Sequence, residues 1–309
     1  MKQPNEYLID FMELIDLPAE ARPVLLEAGK TMMAQQGAEM ERLSKLFLEN
    51  PLENAESVFE ALDHAAEQCG VHSFTASFVF LCWNTQELHE RYRTKGIADE
   101  VFRNTMMDLN YKLAECWQVH GIWGTFVRGW ETGFFPVSRF GLGRLQYEYD
   151  NFRGESYTAG GFTVNKGDRV LTIHIPSAGP LTKELREDSY RRAYEFYKDQ
   201  FPGKPVIFTC YSWLLYPPHD GMLPKESNVV SFLNDFDPVF SLETDTFHDA
   251  WRIYGADADK PVNELPRKTA FQRAYADWLQ SGHKAGVGYG AFLFDGKQFI
   301  RVSGTSEHI

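Results

Sequence analysis

Apolar residues recur at three- and four-residue steps through the first third of the chain. In "LPAEARPVLLEAGKTMMAQQGAEMERLSKLFLEN" they fall at Leu25, Leu26, Met32, Met33, Met40, Leu43 and Phe47, a spacing that lines one face of a helix. Pro51 stands just past its end, "ENAESVFEALDHAAEQCG" repeats the pattern to Gly70, and two further segments stop at Gly96 and Gly121. Each glycine sits where a helix closes on a left-handed residue. Four or five helices with short connections predict an antiparallel bundle.

Near Gly133 the period shortens. "FFPVSRFGLGRLQYEYDNF" puts Leu142, Arg144, Gln146 and Glu148 on one face and Leu145, Tyr147 and Tyr149 on the other, as a strand does. "GESYTAGGFTVNKGDRVLTIHIP" predicts two strands about a turn at "NKGD". A loop, "SAGPLT", then leads into a charged helical segment, and "KPVIFTCYSWLLYP" is apolar enough for a central buried strand. "SNVVSFLNDF" starts a short helix with Ser227 or Asn228 as its cap. "VFSLETDT" and "AWRIYG" are expected strands, "LPRKTAFQRAYADWLQSG" a helix, and "GYGAFLFDGKQFI" a hairpin turning at Asp295-Gly296. The expected fold class is α+β: a helical N-terminal domain over 1–134, then a mixed sheet flanked by helices over 135–309.

Composition narrows the functions. The chain has 309 residues, 43% hydrophobic, with 24 Phe, 14 Tyr and 7 Trp, which supports real cores. A net charge of −12 without a basic run argues against nucleic acid and anionic membranes as partners. Cys69, Cys82, Cys116 and Cys210 show no paired spacing, and with no signal-peptide core or membrane-length apolar run a cytoplasmic protein is expected. "CGVH" lacks a second half, so no metal site is expected. His64, His89 and His120 fit surface or capping positions.

The stretches "GIADEVFRNTMMDL", "FGLGRLQYEY", "IHIPSAGPLT", "CYSWLL", "SNVVSFLNDF" and "LPRKTAFQRAYADWLQSGHKAGVGYG" occur in that order between Gly96 and Gly290. Together they resemble a bacterial family of GNAT-like acyltransferases with a helical N-terminal domain, within the GNAT superfamily of acyl-CoA N-acyltransferases. The resemblance implies that acetyl-CoA or another acyl-CoA is the co-substrate and that a small-molecule or peptide amine is the acceptor. Its fourth strand maps to Val170–Pro176, its pyrophosphate loop to Ser177–Thr182 and its fifth strand to Val206–Leu214. The implied CoA-binding positions are Ile175, Ser177, Ala178, Gly179, Leu181, Thr182, Lys183 and Asn228.

The loop departs from the family's usual pattern of Arg or Gln, two residues, Gly, one residue, then Gly or Ala. "SAGPLT" has one glycine, and Pro180 has no N–H to give. It is either a thin phosphate cradle or a plain connector. "HKAGVG", from His283 to Gly288, comes nearest to the usual spacing but follows a helix, and is expected to be a tight turn.

Acyl transfer to an amine needs a proton acceptor and a donor for the developing oxyanion. Glu148, an acid among bulky residues in "LQYEYD", is the first candidate base, the alternatives being a salt bridge to Arg144 or another neighbour, or a solvent-facing carboxylate. His174, two residues before the loop in "LTIHIPS", is the second, the alternative being a core histidine. Cys210 and Ser212 share a face of the fifth strand. Should it adjoin the fourth, a thiol–imidazole pair with His174 would make an acyl-cysteine enzyme; otherwise Cys210 is a buried thiol. Tyr211 and Tyr216 are further polar candidates. Three functions follow: an N-acyltransferase working by direct attack, a binding protein that has kept the scaffold without catalysis, and a Cys210/His174 acyl enzyme.

Overall fold

The computed structural model describes residues 2–302 and divides into two compact units at Gly141/Leu142. The first is helical: α1 (Pro4–Leu14), α2 (Ala21–Glu49), α3 (Pro51–Gln68), α4 (Ser73–Thr94), α5 (Asp99–His120) and the short α6 (Arg128–Thr132). Pro4 and Pro51 occupy first-turn positions, where a missing N–H costs nothing. Gly70, Gly96 and Gly121 have φ of +66°, +70° and +66°, the left-handed closure their positions foretold.

α4 is the unit's central helix, buried continuously from Thr75 to Thr85. Phe47, Phe59, Phe80 and Phe135 meet edge to face in the core, with Phe47 and Phe135 centroids 4.7 Å apart. A polar cluster is buried between α5 and α6. Lys112 Nζ donates to Glu115 Oε2 at 2.9 Å, and the Trp130 indole N–H donates to Asp108 Oδ2 at 2.9 Å. Burial, first, and the neighbouring Asp108 and Glu115 charges push the Glu131 carboxyl up to about 8, against the Thr125 hydroxyl and the Lys112 charge.

The second unit holds β1 (Phe140–Leu142, entering from the boundary), β2 (Leu145–Asn151), β3 (Ser156–Ala159), β4 (Phe162–Asn165), β5 (Arg169–His174), α7 (Lys183–Tyr197), β6 (Val206–Ser212), α8 (His219–Met222), α9 (Asn228–Leu233), β7 (Asp237–Thr244), α10 (Trp251–Tyr254), α11 (Ala270–Gln280), β8 (Ala285–Phe294) and β9 (Phe299–Ile300). The main sheet runs β1-β2-β5-β6-β8-β7 with β9 on β8, and β3-β4 form a separate hairpin. β5–β6 is parallel; β2–β5, β6–β8, β7–β8 and β8–β9 are antiparallel.

α7 covers one face of the sheet. Its Tyr190 ring packs on Phe208 and Phe292, and its Ser189 hydroxyl meets Tyr147 Oη at 2.9 Å. The β3–β4 hairpin covers part of the other, where Tyr157 and Val164 join Val170, Tyr289, Ala291 and Leu293.

Three local expectations are corrected. "AWRIYG" contains one helical turn, α10, not a strand; its Ile253 and Tyr254 are buried against Tyr275 of α11, and Gln272 Nε2 donates to Ile253 O at 3.0 Å. A segment this short, with Arg252 between its apolar residues, has too little period to separate strand from helix. "GESYTAGGFTVNKGDRVLTIHIP" holds three strands, not two: the turn at "NKGD" is present between β4 and β5, with Gly167 at φ +86°, and a second turn at Gly160-Gly161 (φ +54° and +83°) folds β3 on β4 in a separate sheet. "HKAGVG" is not a tight turn, because Ala285–Gly288 open β8. Its glycines answer to crowding: a Cβ on Gly288 would lie 1.9 Å from Leu215 O, and one on Gly286 2.3 Å from the Tyr216 ring.

Candidate functional site

The parallel ladder between β5 and β6 has two rungs, Leu171 with Phe208 and Thr172 with Thr209. Beyond them the strands stop pairing, while β6 stays fully paired to β8 as far as Ser212–Gly288 and β5 stays paired to β2 through His174–Gln146. The sheet therefore opens between Ile173–Ile175 and Cys210–Ser212, leaving two strand edges that an extended ligand can join by backbone hydrogen bonds.

The register assigns faces. Opposed residues share a face, so Gln146, Glu148, Thr172, His174, Thr209 and Tyr211 project from one side of the opening. On that side His174 Nε2 lies 2.6 Å from Glu148 Oε1, both side chains about four-fifths buried. The sequence names these residues as separate candidate bases, and the antiparallel β2–β5 register makes them one carboxylate–imidazole pair. With the Nε2–H donated to the carboxylate, the basic lone pair lies on Nδ1, and the carboxylate stabilises the imidazolium formed when a proton arrives.

The loop after β5 is held from two directions. Arg144, just before β2, donates to three of its carbonyls: Nη1 to Pro176 O at 2.8 Å, Nη2 to Gly179 O at 2.9 Å and Nε to Pro180 O at 3.1 Å. Arg186 is fully buried on α7, paired with Asp235, and its Nη1 donates to Leu181 O at 2.6 Å. In a trans peptide the C=O and the following N–H point in opposite directions. Drawing in the Pro180 and Leu181 carbonyls therefore turns the Leu181 and Thr182 N–H groups outward. Among the described residues the amides of Ala178, Gly179, Leu181 and Thr182 donate to no protein group. Gly179 supplies φ +83°, with open space around it. The exposed Glu184 carboxylate turns back to its own amide and the Thr182 hydroxyl, which hold it below the usual carboxylate range.

The remaining candidates lie elsewhere. Cys210 is fully buried on the α7 side of the sheet, the face opposite His174, and burial pushes its thiol well up. The thiol–imidazole pair is not formed. Ser212 Oγ accepts the Leu214 N–H at 3.1 Å and caps a 3-10 turn at Trp213–Leu215, so the fifth strand is shorter than expected. Ser227, not Asn228, caps α9, and Asn228 is exposed at its first position. Lys183 is exposed and 3.7 Å from Glu187, Ile175 is half-buried, and Tyr216 Oη points to Glu243 Oε1 at 3.5 Å. Arg144 serves the loop carbonyls. Sequence reasoning missed this clamp, and missed Gln146, Thr172 and Thr209 as residues of the opening. Alternation already placed Gln146 with Glu148; a cross-strand register was needed to bring either to His174. No group of His, Cys, Asp and Glu among the described residues could hold a metal, and no helix is long and apolar enough to cross a membrane.

Known proteins match this arrangement. A family model described as an N-acyltransferase N-terminal domain covers residues 6–136, and one described as a GNAT-like C-terminal domain covers 140–292. No curated protein matches. Solved structures share the fold at low identity. A mutant acyltransferase in complex with octanoyl-CoA aligns with a TM-score of 0.69 at 19% identity, over 93% of this chain and 87% of that chain. An acyltransferase in complex with decanoyl-CoA and teicoplanin aligns with a TM-score of 0.67 at 19% identity, over 92% and 87%. An acyltransferase in complex with decanoyl-CoA gives 0.63 at 20% identity, over 91% and 86%.

Proposed function

Since the chain belongs to the GNAT-like acyltransferases with a helical N-terminal domain, we propose that it transfers an acyl group from acyl-CoA to an amine by direct attack on the thioester. The observation that carries this reading is the Glu148–His174 pair at 2.6 Å, set where β5 parts from β6.

In this reading the pantetheine arm lies in the opening, paired with the free strand edges. The pyrophosphate rests on the outward amides of the 177–182 loop, with Ile175, Lys183 and Asn228 beside the cofactor. The amine approaches from the face of the pair. Its nitrogen forms the new C–N bond, His174 takes the proton, Glu148 balances the imidazolium, and the C–S bond breaks to release CoA thiolate. Acetyl-CoA is the donor first suggested by the sequence. The octanoyl- and decanoyl-CoA held by the solved relatives make longer chains the direct competitors. The acceptor class is a small-molecule or peptide amine; teicoplanin accompanies one relative.

The departure of the loop from the usual glycine pattern supports a second reading, a ligand-binding protein without catalysis. One experiment separates the two. Acetyl-, octanoyl- and decanoyl-CoA are tested first for thermal stabilisation, where a ligand at about a hundred times its Kd adds about 2.7 kcal/mol, then for thiol release with a panel of amines. Stabilisation with amine-dependent release supports the transferase, and no stabilisation by any CoA ester removes it and favours the binding protein.

A further inference from the structure

Gln146 is directly opposite His174 in the β2–β5 register and shares the face of the Glu148–His174 pair. Its side chain is 1% exposed, yet its Oε1 has no hydrogen-bond partner, and its Nε2 makes none either among the described residues. A buried carboxamide without partners lowers stability, and such groups in folded proteins call for a reason. An apolar residue of the same length would fill this place in a strand between Leu145 and Tyr147 without that cost. The two other titratable or polar side chains nearest in register are engaged, Glu148 with His174 and Arg144 with the loop. Among the described residues Gln146 is thus a buried polar side chain on the face of the pair whose Oε1 the fold leaves unused.

We propose that Gln146 contacts the acceptor amine, its Oε1 taking the N–H that is retained through the reaction. This rests on the transferase reading. A primary amine attacking a thioester gives up one N–H proton to His174 and keeps another in the amide product. Cross-strand neighbours stand about 5 Å apart at Cβ, so Gln146 and His174 can hold two hydrogens of one nitrogen, which directs the nitrogen lone pair to the carbonyl carbon. A carboxamide accepts from an amine without fixing it as an ammonium ion, whereas a carboxylate here would favour the charged, non-nucleophilic form. The substrate class that follows is an unhindered primary amine, since a secondary amine keeps no N–H in the product.

The test compares wild type with Gln146→Leu and Gln146→Glu, using hydroxylamine and N-methylhydroxylamine as acceptor probes and calorimetry for CoA. The expected result for Gln146→Leu is a higher melting temperature than wild type, an unchanged Kd for CoA, and a loss of ten-fold or more in the hydroxylamine rate. Wild type is expected to prefer hydroxylamine over N-methylhydroxylamine, and Gln146→Leu to lose that preference. Gln146→Glu should shift the rate optimum to higher pH. A Gln146→Leu protein that is no more stable than wild type, or that keeps both rate and preference, overturns the proposal. A residue with a merely structural role would lose stability and activity together. If wild type turns over neither probe, the stability comparison decides alone. Wild type that binds no CoA ester refutes the transferase reading itself, a result distinct from any behaviour of the Gln146 variants.

Discussion

The Arg144 guanidinium lies 2.9 Å from Gly179 O, and the same planar group reaches Pro176 O and Pro180 O. A side chain just before β2 thereby ties down three carbonyls of the loop after β5. Arg144→Gln and Arg144→Lys should both weaken CoA binding about ten-fold or more, because neither can bridge three carbonyls as a guanidinium does. Calorimetric titration with CoA checks this; a lysine variant that binds as wild type would mean that only the charge matters.

His174→Ala should lower kcat by about 10²–10⁴, the usual contribution of a positioned general base, with little change in the KM for acyl-CoA. Glu148→Gln should cost less, since it keeps the hydrogen bond but not the balancing charge. Steady-state rates of thiol release decide the order. A Glu148→Gln enzyme more impaired than His174→Ala would make the carboxylate itself the base.

Cys210→Ala should keep activity within about two-fold and lose about 1 kcal/mol of stability from the lost packing of one buried sulfur. Mass spectrometry of the wild type mixed with acyl-CoA should find no acylated Cys210. A trapped acyl-cysteine would revive the covalent route.

Glu131 sets a pH dependence for the helical unit. Its carboxyl titrates at about 8 when folded, far above the ordinary carboxylate value of 4.5. Between those values the folded form binds a proton that the unfolded form has released. This contribution is complete below about 4.5 and is lost as pH rises through 8, with a slope of at most about 1.4 kcal/mol per pH unit. Glu131→Gln should flatten that slope, leaving the variant more stable than wild type at pH 8 by more than at pH 5. Urea unfolding at several pH values provides the measurement.

Gly288→Ala should be far more damaging than Gly179→Ala. The first places a methyl 1.9 Å from Leu215 O, while the second meets open space and carries only the left-handed backbone penalty, of the order of 1 kcal/mol. Comparing the melting temperatures of the two variants separates crowding from conformation.

The helices of the first unit were legible because glycines mark their ends and apolar steps mark their faces; Gly70, Gly96 and Gly121 close the segments as their positions foretell. The strands of the second unit were legible one at a time. How they pair was not, since alternation within a strand fixes which residues share a face but not which face meets its neighbour's. This is why Glu148 and His174 were named apart, and why a Cys210–His174 pair stayed open beside the buried-thiol reading that the structure bears out. The Arg144 clamp was hidden for a related reason: 35 positions separate it from the Gly179 carbonyl it serves, and nothing local in "GLGRLQ" announces that contact.

The two-rung joint between β5 and β6 has a mechanical meaning as well. It joins a β2–β5 block to a β6–β8 block by two rungs, with the Tyr147, Tyr190 and Phe208 rings packed together on the α7 side. A strand-like guest lodged there would act as a keystone. Amide exchange from Thr172 to His174 and from Cys210 to Ser212 should therefore slow more than anywhere else in the domain when the cleft is filled.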